Sequence, residues 1–278
     1  MDENKTAVGG EDSVHQASNL YKDAFQDDPV IAYLCGLPTD KRHEYLYDYF
    51  TGLTTAAALN GGTFEHAADW SACQILLPPG KRVDNPWTLI PAGVFGVLWK
   101  LGIGGCRRML LEYEPLTDAA RRKALGDQKD FYYIFFVATK AEARGRGLCS
   151  ALIKSAQDRA AKEGFPVWIE ATTERSWKLY EKMGFKTVST IILGKGKVGP
   201  DGIERKGGDG VPVWMMIWWP PKTTLFRYVL NSWQQREWQQ HEKGASDSQD
   251  VRWGYHSYTE ICDNNFSLRG SVHSFGRS

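Results

Sequence analysis

The sequence predicts an α+β protein in which a mixed, mostly antiparallel sheet carries helices on both faces, giving three layers. An uncharged aromatic run at 131–137 is followed by a glycine turn, a helical repeat and a second apolar run at 167–169. A strand–helix–strand unit of this kind makes its two strands parallel, because the crossover helix returns the chain to the same end of the sheet. Apolar runs at 63–77 and 186–219 are divided by turn residues, which is typical of antiparallel strands.

The N-terminal third is predicted to be helical and then to form a strand pair. Leu20, Tyr21 and Phe25 share one side of a first helix, and Pro38 precedes the capping residue of a second. In order, the predicted elements are a disordered polar tail at 1–12, helices at 13–26 and from Thr39 or Asp40, a turn at Gly61-Gly62, and antiparallel strands at 63–68 and 70–77.

Residues 85–128 return to helical spacing, with a break at the glycines between Gly102 and Gly105. The stretch from Leu89 to Gly105 is the most apolar of the chain, but Lys100 interrupts it. It is also shorter than the roughly 20 residues that a transmembrane helix needs. We therefore expect a helix of the core or of a lid at this place, and no membrane span.

The central unit, from Phe131 to Phe185, contains two strands and two helices. Phe131 to Val137 carries no charge, which suits a strand buried on both faces. Gly164 and Gly184 are suited to end the two helices, because glycine readily adopts the left-handed conformation at a helix C-terminus. The apolar faces are Leu148, Leu152, Ile153, Ala156 and Ala160 in the first helix, and Trp177, Tyr180 and Met183 in the second.

Two strands and an appendage complete the chain. We predict strands at 186–193 and 211–219, separated by a loop rich in glycine and charge. Pro220-Pro221 ends the second strand, so the domain spans 13–220. Residues 221–278 have no sustained hydrophobic period, and we expect an appendage that is partly helical and largely disordered.

The glycine turn of the central unit is a candidate anion site. Arg144, Gly145, Arg146 and Gly147 lie between a strand end and a helix start. Glycines let backbone N–H groups approach an anion, the helix N-terminus adds partial positive charge, and the arginines add full charges. The turn therefore predicts a pyrophosphate site. Its spacing matches neither G-x-G-x-x-G nor G-x-x-x-x-G-K-S/T, which excludes a Rossmann dinucleotide site and a P-loop.

Two motifs resemble those of the GNAT superfamily of N-acetyltransferases. The family's Q/R-x-x-G-x-G/A is similar to Arg144-x-x-Gly147-x-Cys149, and its L-Y-x-x-x-G-F is similar to Leu179-Tyr180-Glu181-Lys182-Met183-Gly184-Phe185. They occur in the family's order, one helix and one strand apart. The resemblance is strong over 131–185 and extends over 13–220. The sequence as a whole resembles uncharacterised fungal members of the family most. Glu170-Ala171-Thr172-Thr173 and Gly194-Lys195-Gly196-Lys197 contribute to this resemblance.

The resemblance implies a fold detail, a co-substrate and a set of contacts. The two parallel strands splay apart, and acetyl-CoA enters the gap. The helical segment 85–128 is an insertion where the family has a short turn, so it is either extra core or a cover over the acceptor pocket. The implied acetyl-CoA contacts are the backbone of Val137, Ala138 and Thr139 for the pantetheine arm, Arg144, Gly145, Arg146, Gly147, Leu148, Cys149 and Ser150 for the pyrophosphate, and Thr173.

The implied reaction is direct attack of a primary amine on the thioester through a tetrahedral intermediate. An alkylamine has a pKa of roughly 10, so a base must take a proton before the attack. The departing thiolate is helped by a proton donor. By resemblance Tyr180 is that donor, and its phenol is protonated at neutral pH. The structural alternative is that Tyr180 only packs beside Trp177 and Met183.

Glu170 is the candidate general base. It ends the second strand of the central unit, where the resemblance implies a gap and, in some members, a basic glutamate. No histidine occurs between Ala67 and Gln240, which favours a carboxylate. A solvated carboxylate without a catalytic role is the alternative for Glu170. The competing candidates for the base are Asp69, Glu112 and Glu114.

Two residues depart from the family pattern. Cys149 stands where the family has Gly or Ala. Because cysteine is small, we expect slight crowding and a buried inert thiol rather than a reactive one. Thr173 stands near the place of a cofactor-contacting asparagine. It can hydrogen-bond to the cofactor in the same way or cap the following helix, and capping is the role we favour.

The composition limits the binding partners and the cellular compartment that we expect. Lys and Arg total 34 and Asp and Glu total 33, so no net field favours nucleic acid or an acidic membrane. Five widely spaced cysteines disfavour a disulfide framework or zinc site and indicate a reducing compartment, the cytoplasm. We expect no metal, nucleic acid or membrane partner, and a small-molecule amine rather than a protein as acceptor. The oligomeric state is not indicated.

Two other functions fit parts of the sequence. One is a pseudoenzyme that binds CoA without turnover. The other is a non-catalytic phosphate- or RNA-binding module, in which the arginines of the glycine turn join Lys195, Lys197, Arg205 and Lys206. Buried aromatic strands and the near-zero net charge disfavour this module.

Overall fold

The computed structural model describes residues 6–221, and the predicted appendage lies outside them except for Pro221. A seven-stranded sheet forms its centre. The strands are β1 (Thr6–Gly9), β2 (Thr63–Ala67), β3 (Ala72–Leu77), β4 (Tyr132–Thr139), β5 (Val167–Ala171), β6 (Lys186–Leu193) and β7 (Val211–Trp218). Their order across the sheet is β1-β2-β3-β4-β5-β7-β6.

The predicted mixed sheet is confirmed. β4 and β5 run parallel and are joined through a crossover helix, whereas the other neighbouring pairs are antiparallel. The helices are α1 (Val14–Ala24), α2 (Pro29–Cys35), α3 (Thr39–Leu59), α4 (Pro86–Leu89), α5 (Val94–Arg107), α6 (Glu114–Leu125), α7 (Leu148–Glu163) and α8 (Glu174–Lys182), with a π-helical segment at Arg108–Tyr113. The crossover helix is α7.

The N-terminal predictions need two corrections. Disorder through Asp12 is wrong for Thr6–Gly9, which forms β1 and pairs with β2 in antiparallel register. The short helix α2 was not predicted. Asp28 caps it by accepting hydrogen bonds from the Val30 and Ile31 N–H groups at 2.9 and 3.1 Å, and Pro29 occupies its first turn.

Helices cover both faces of the sheet. One face packs against α7 and α8, with Ile134, Ile153 and Tyr180 in a common core cluster. The opposite face packs against α1, α3 and α5 near β2 to β4, and against α2 and α6 near β5 to β7. The three predicted layers are therefore present, and the ends of β4 and β5 lie between the two helical layers.

The 85–128 segment contributes both to the core and to a cavity wall. Val97 and Leu101 of α5 are buried in the main core cluster. The predicted break is a bend at Gly102, whose φ of 65° and ψ of −178° interrupt α5 before it continues to Arg107. Among residues 6–221, no helix combines the length and apolar character needed to cross a membrane.

Candidate active site

The parallel strands part soon after they meet. β4 and β5 are in register only at Tyr132–Val167 and Tyr133–Trp168. β4 continues to Thr139 along β3, with an irregularity opposite Ile75 and Leu76 that turns the strand. Beyond Tyr133, the β4 edge that faces β5 therefore has backbone groups outside the sheet ladder, and a V-shaped gap opens beside them.

A cavity of about 1600 Å³ runs through this gap. At one end it is lined by the glycine turn and the start of α7. At the other end its wall comes from α1, α3 and the 85–128 segment. The prediction that β4 is buried on both faces is wrong for this reason: Tyr133, Phe135 and Phe136 are half-buried and line the cavity.

The glycine turn presents an anion cradle to the cavity. Gly145 and Gly147 have φ values of +83° and +81°, and a Cβ at either position would meet no atom within 4 Å. Gly147 is the N-cap of α7 and no side chain caps this helix. The first intrahelical bond from this cap runs from the Ala151 N–H to the Gly147 carbonyl, so the N–H groups of Leu148, Cys149 and Ser150 point out of the first turn.

Most of the predicted acetyl-CoA contacts share this cavity. The lining contains Val137, Ala138, Thr139, Arg144, Gly145, Gly147, Leu148, Cys149, Ser150 and Thr173. Arg144 Nε also donates to the Thr139 carbonyl at 3.5 Å, which joins the turn to the end of β4. Arg146 is the exception among the predicted contacts, since it is exposed and lies outside the lining.

Thr173 and Cys149 have local structural roles. The Thr173 Oγ1 accepts from the Ser176 N–H at 3.2 Å, and the Thr173 N–H donates to Ser176 Oγ at 3.2 Å, which is a reciprocal cap of α8. Burial raises the pKa of the Cys149 thiol to about 12, although Arg175 opposes it. The thiol is therefore protonated at neutral pH and is a poor nucleophile.

Tyr180 lies on α8 and lines the cavity from the α7 and α8 side of the sheet. Its side chain is 5% exposed, and its ring packs 6.1 Å from that of Phe185. Burial raises the pKa of the phenol well above its usual value, with further increases from Cys149, Asp28 and Glu170. The hydroxyl is therefore protonated at neutral pH.

Glu170 lines the cavity near the end of β5. The Trp168 indole N–H donates to its Oε1 at 2.6 Å, and the Tyr133 hydroxyl also lies against the carboxyl group. Burial raises the pKa of Glu170, while the Arg121 charge and the two hydrogen bonds oppose this increase. Glu170 is thus a desolvated carboxyl group whose orientation is fixed by neighbours, as a general base requires.

The competing carboxylates differ in position. Asp69 lies in the β2–β3 turn with φ of 47° and is outside the cavity lining. Glu112 accepts hydrogen bonds from the Tyr33 hydroxyl at 2.5 Å and the Gly194 N–H at 3.0 Å, and also does not line the cavity. Glu114 does line it, and burial, aided by Asp84, raises its pKa to about 7.

Asp28 is a cavity residue that sequence reasoning missed. Besides capping α2, it accepts a hydrogen bond from the Thr172 hydroxyl at 2.5 Å. The Asp-Pro pair at 28–29 is a recognisable helix start, so the sequence did contain a signal for this residue. Both of its carboxyl oxygens have partners, which favours a structural role.

The raised pKa of Glu114 predicts a pH-dependent effect of Glu114→Gln on stability. Between the unfolded value of roughly 4.3 and the folded value of about 7, the folded state binds more protons than the unfolded state. Wild-type stability therefore falls as pH rises through this window. The glutamine variant lacks this loss, so its free energy of unfolding relative to wild type should rise by about 2–3 kcal/mol between pH 4.5 and 7.

Urea unfolding at several pH values measures this difference. Asp158→Asn, on the exposed face of α7, is a suitable control because its Lys154 partner is also exposed. A Glu114→Gln advantage that stays constant from pH 4.5 to 8 would contradict the prediction.

Comparisons with known proteins agree with the geometry. The Acetyltransferase (GNAT) family model matches residues 76–185. An uncharacterised N-acetyltransferase of Schizosaccharomyces pombe is 25% identical over 180 residues, which are 64% of this chain and 72% of that protein.

Two solved structures share the fold. Arylalkylamine N-acetyltransferase 2 of Aedes aegypti gives a TM-score of 0.53 at 15% identity, covering 78% of this chain and 99% of that one. The structure described as histone acetyltransferase HPA2 and related acetyltransferase of Corynebacterium glutamicum gives a TM-score of 0.51 at 19% identity. The match covers 78% of this chain and 96% of that one.

Proposed function

We propose that this chain, which matches the GNAT acetyltransferase family model over residues 76–185, transfers an acetyl group from acetyl-CoA to a primary amine. One observation carries the proposal: a single cavity joins the anion cradle at Gly145 and Gly147 to a strand gap with Tyr180 and Glu170 in its lining. A diphosphate held at the cradle would leave its thioester in this gap.

The residues of the gap fit acetyl-CoA. The Thr139 Oγ1 is buried without a hydrogen-bond partner in the described chain, and Thr139 lines the cavity. Backbone groups of Val137 and Ala138 can bond to the pantetheine amides as an added strand would. The first N–H groups of α7, with the charge of Arg144, can hold the pyrophosphate.

Acetyl-CoA supplies a thioester, which the amine attacks directly. In our proposal Glu170 accepts the proton that the amine must lose, because its carboxyl group is desolvated and is fixed by Trp168. A β4 N–H near Val137 stabilises the negative oxygen of the tetrahedral intermediate. Tyr180 donates its phenolic proton to the departing sulfur, and the amide product leaves toward the 85–128 wall.

Acetyl-CoA binding and CoA release test this function together. Acetyl-CoA should raise the melting temperature, and amines should then cause CoA release with an acetylated product detected by mass spectrometry. Stabilisation without release for any amine would instead support a CoA-binding pseudoenzyme. No response to CoA would favour the phosphate- or RNA-binding module, although Lys195, Lys197, Arg205 and Lys206 lie outside the cavity lining.

Gly147→Ala should weaken acetyl-CoA binding by about tenfold or more, because a hydrogen bond to a charged group contributes about 1.5–3 kcal/mol. The added Cβ would meet no protein atom, but it would occupy space at the cradle where the pyrophosphate is proposed to approach the backbone N–H groups. Calorimetric titration with acetyl-CoA measures the change.

Gly207→Ala is the matched control for this prediction. Gly207 also has positive φ, +75°, and open space at its Cβ, but lies in the β6–β7 loop outside the cavity lining. Equal acetyl-CoA affinity in the two variants would remove the cradle from the proposed site.

The cytoplasm is the compartment we propose. Cys35, Cys73, Cys106 and Cys149 are free thiols, and two of them are fully buried. Unpaired cysteines suit a reducing environment.

A further inference from the structure

The far half of the cavity has an apolar inner wall. Its members are Phe25, Tyr49, Leu53, Leu98, Met109 and Phe136. All of them belong to, or pack against, the main core cluster, and the rings of Phe25 and Phe136 lie 5.8 Å apart. The wall is therefore an opening into the hydrophobic core, formed by α1, α3, β4 and the 85–128 segment.

Charged residues of this half lie mainly at its rim, where they pair with one another. Arg82 contacts Asp84 at 2.8 Å and Asp118 at 3.2 Å. Lys81 and Asp27 are exposed to solvent. Since these charges are paired or hydrated, a ligand deeper in the cavity gains little from them.

Inside the rim, Glu170 and Glu114 are carboxyl groups that line the cavity without capping a helix, and the Arg121 guanidinium lines it with them. Asp28 is occupied by α2 and Thr172. The Arg121 guanidinium lies over the Tyr133 ring at 5.4 Å and over the Trp168 ring at 5.9 Å, and its charge acts on Glu170. The inner surface thus combines a large apolar wall with carboxyl groups near the gap.

We propose that the acceptor is a primary amine on an apolar body, either an alkyl chain or an aromatic ring. The body contacts the wall of Leu98, Met109 and Phe136, and the amino group faces Glu170. This inference rests on the proposed acetyl transfer and names the substrate class of that site. Polyamines and amino acids fit poorly, because their further charges would be buried against the wall without partners.

A matched amine panel tests the proposal, using hexylamine, 2-phenylethylamine, ethylamine and spermidine with the full chain and acetyl-CoA. Each additional buried CH₂ group corresponds to about a fourfold gain in affinity. We expect kcat/KM for hexylamine to exceed that for ethylamine by about 30-fold or more. 2-Phenylethylamine should behave like hexylamine, and spermidine should be the poorest acceptor.

Two neighbouring leucines provide a matched pair of variants. Leu110 is 48% exposed and lines the cavity, whereas Leu111 is 72% exposed and does not. Leu110→Gln should reduce the hexylamine to ethylamine preference by about threefold or more, since it removes apolar contact. Leu111→Gln should leave the preference unchanged, and neither should alter acetyl-CoA affinity.

The outcomes separate this inference from the proposed activity. CoA release that is as fast with spermidine or ethylamine as with hexylamine overturns the apolar acceptor and leaves acetyl transfer intact. If none of the amines causes CoA release, the proposed activity is wrong. Calorimetric titration of the amines then tests the inference. Hexylamine binding at least tenfold tighter than ethylamine, and weakened by Leu110→Gln alone, supports it, whereas equal binding overturns it.

Discussion

A Tyr180→Phe variant is expected to lower kcat by about 10²–10³-fold while acetyl-CoA affinity stays within about twofold. The substitution removes only the phenolic oxygen, and the ring can keep its packing against Phe185. Without the hydroxyl, the thiolate must leave unprotonated or take a proton from water. Steady-state CoA release at saturating amine, with calorimetric titration of acetyl-CoA, measures the two quantities.

Tyr132→Phe is the matched control for this experiment. Tyr132 belongs to the same core cluster and is 4% exposed, but it lies outside the cavity lining and its hydroxyl donates to Glu163 at 2.8 Å. We expect this variant to lose some stability and keep its turnover. Comparable turnover in Tyr180→Phe and wild type would show that Tyr180 only packs.

A Glu170→Gln variant should lower kcat/KM by about 10²–10⁴-fold at neutral pH, since glutamine cannot accept a proton from the amine. Glutamine keeps the shape and can still accept the Trp168 hydrogen bond, so acetyl-CoA affinity should be preserved. Circular dichroism and acetyl-CoA titration control for folding and binding.

The pH profile adds a second readout for Glu170. Burial raises the pKa of this carboxyl group, and only its ionised form can act as a base. In the wild type the rate should therefore fall as pH drops through that raised pKa, and Glu170→Gln should lose this acidic limb. If Glu114→Gln abolishes the limb and Glu170→Gln does not, the base is Glu114, whose pKa is raised to about 7.

Local patterns were sufficient to predict the central unit. The uncharged run at 131–137, the repeat in α7 and the glycines that follow each helix specify strand, turn and helix by short-range physics. The positive φ at Gly145 and Gly147 is likewise a local property that glycine indicates, whereas the anion at this turn stays a prediction. The parallel pairing of β4 and β5 followed from the crossover rule, and the sheet confirms it.

The features that were missed depend on distant contacts. The strand at Thr6–Gly9 has only four residues and lies in a largely polar segment, so it exists because β2 offers an edge to pair with. β4 looked doubly buried because aromatic side chains suit a cavity wall as well as a core. The position of Glu114 in the cavity follows from how the 85–128 segment folds back across the sheet, which no spacing along the chain encodes.

Only two registered residue pairs join β4 to β5, so the sheet consists of two parts that are connected over a short length. One part contains β1 to β4 and the other contains β5 to β7. A ligand bound in the gap would contact both parts of the sheet. Its binding would therefore raise the free energy of unfolding by an amount that grows with ligand concentration. At 100 times its dissociation constant this contribution is about 2.7 kcal/mol, comparable to a well-packed core side chain.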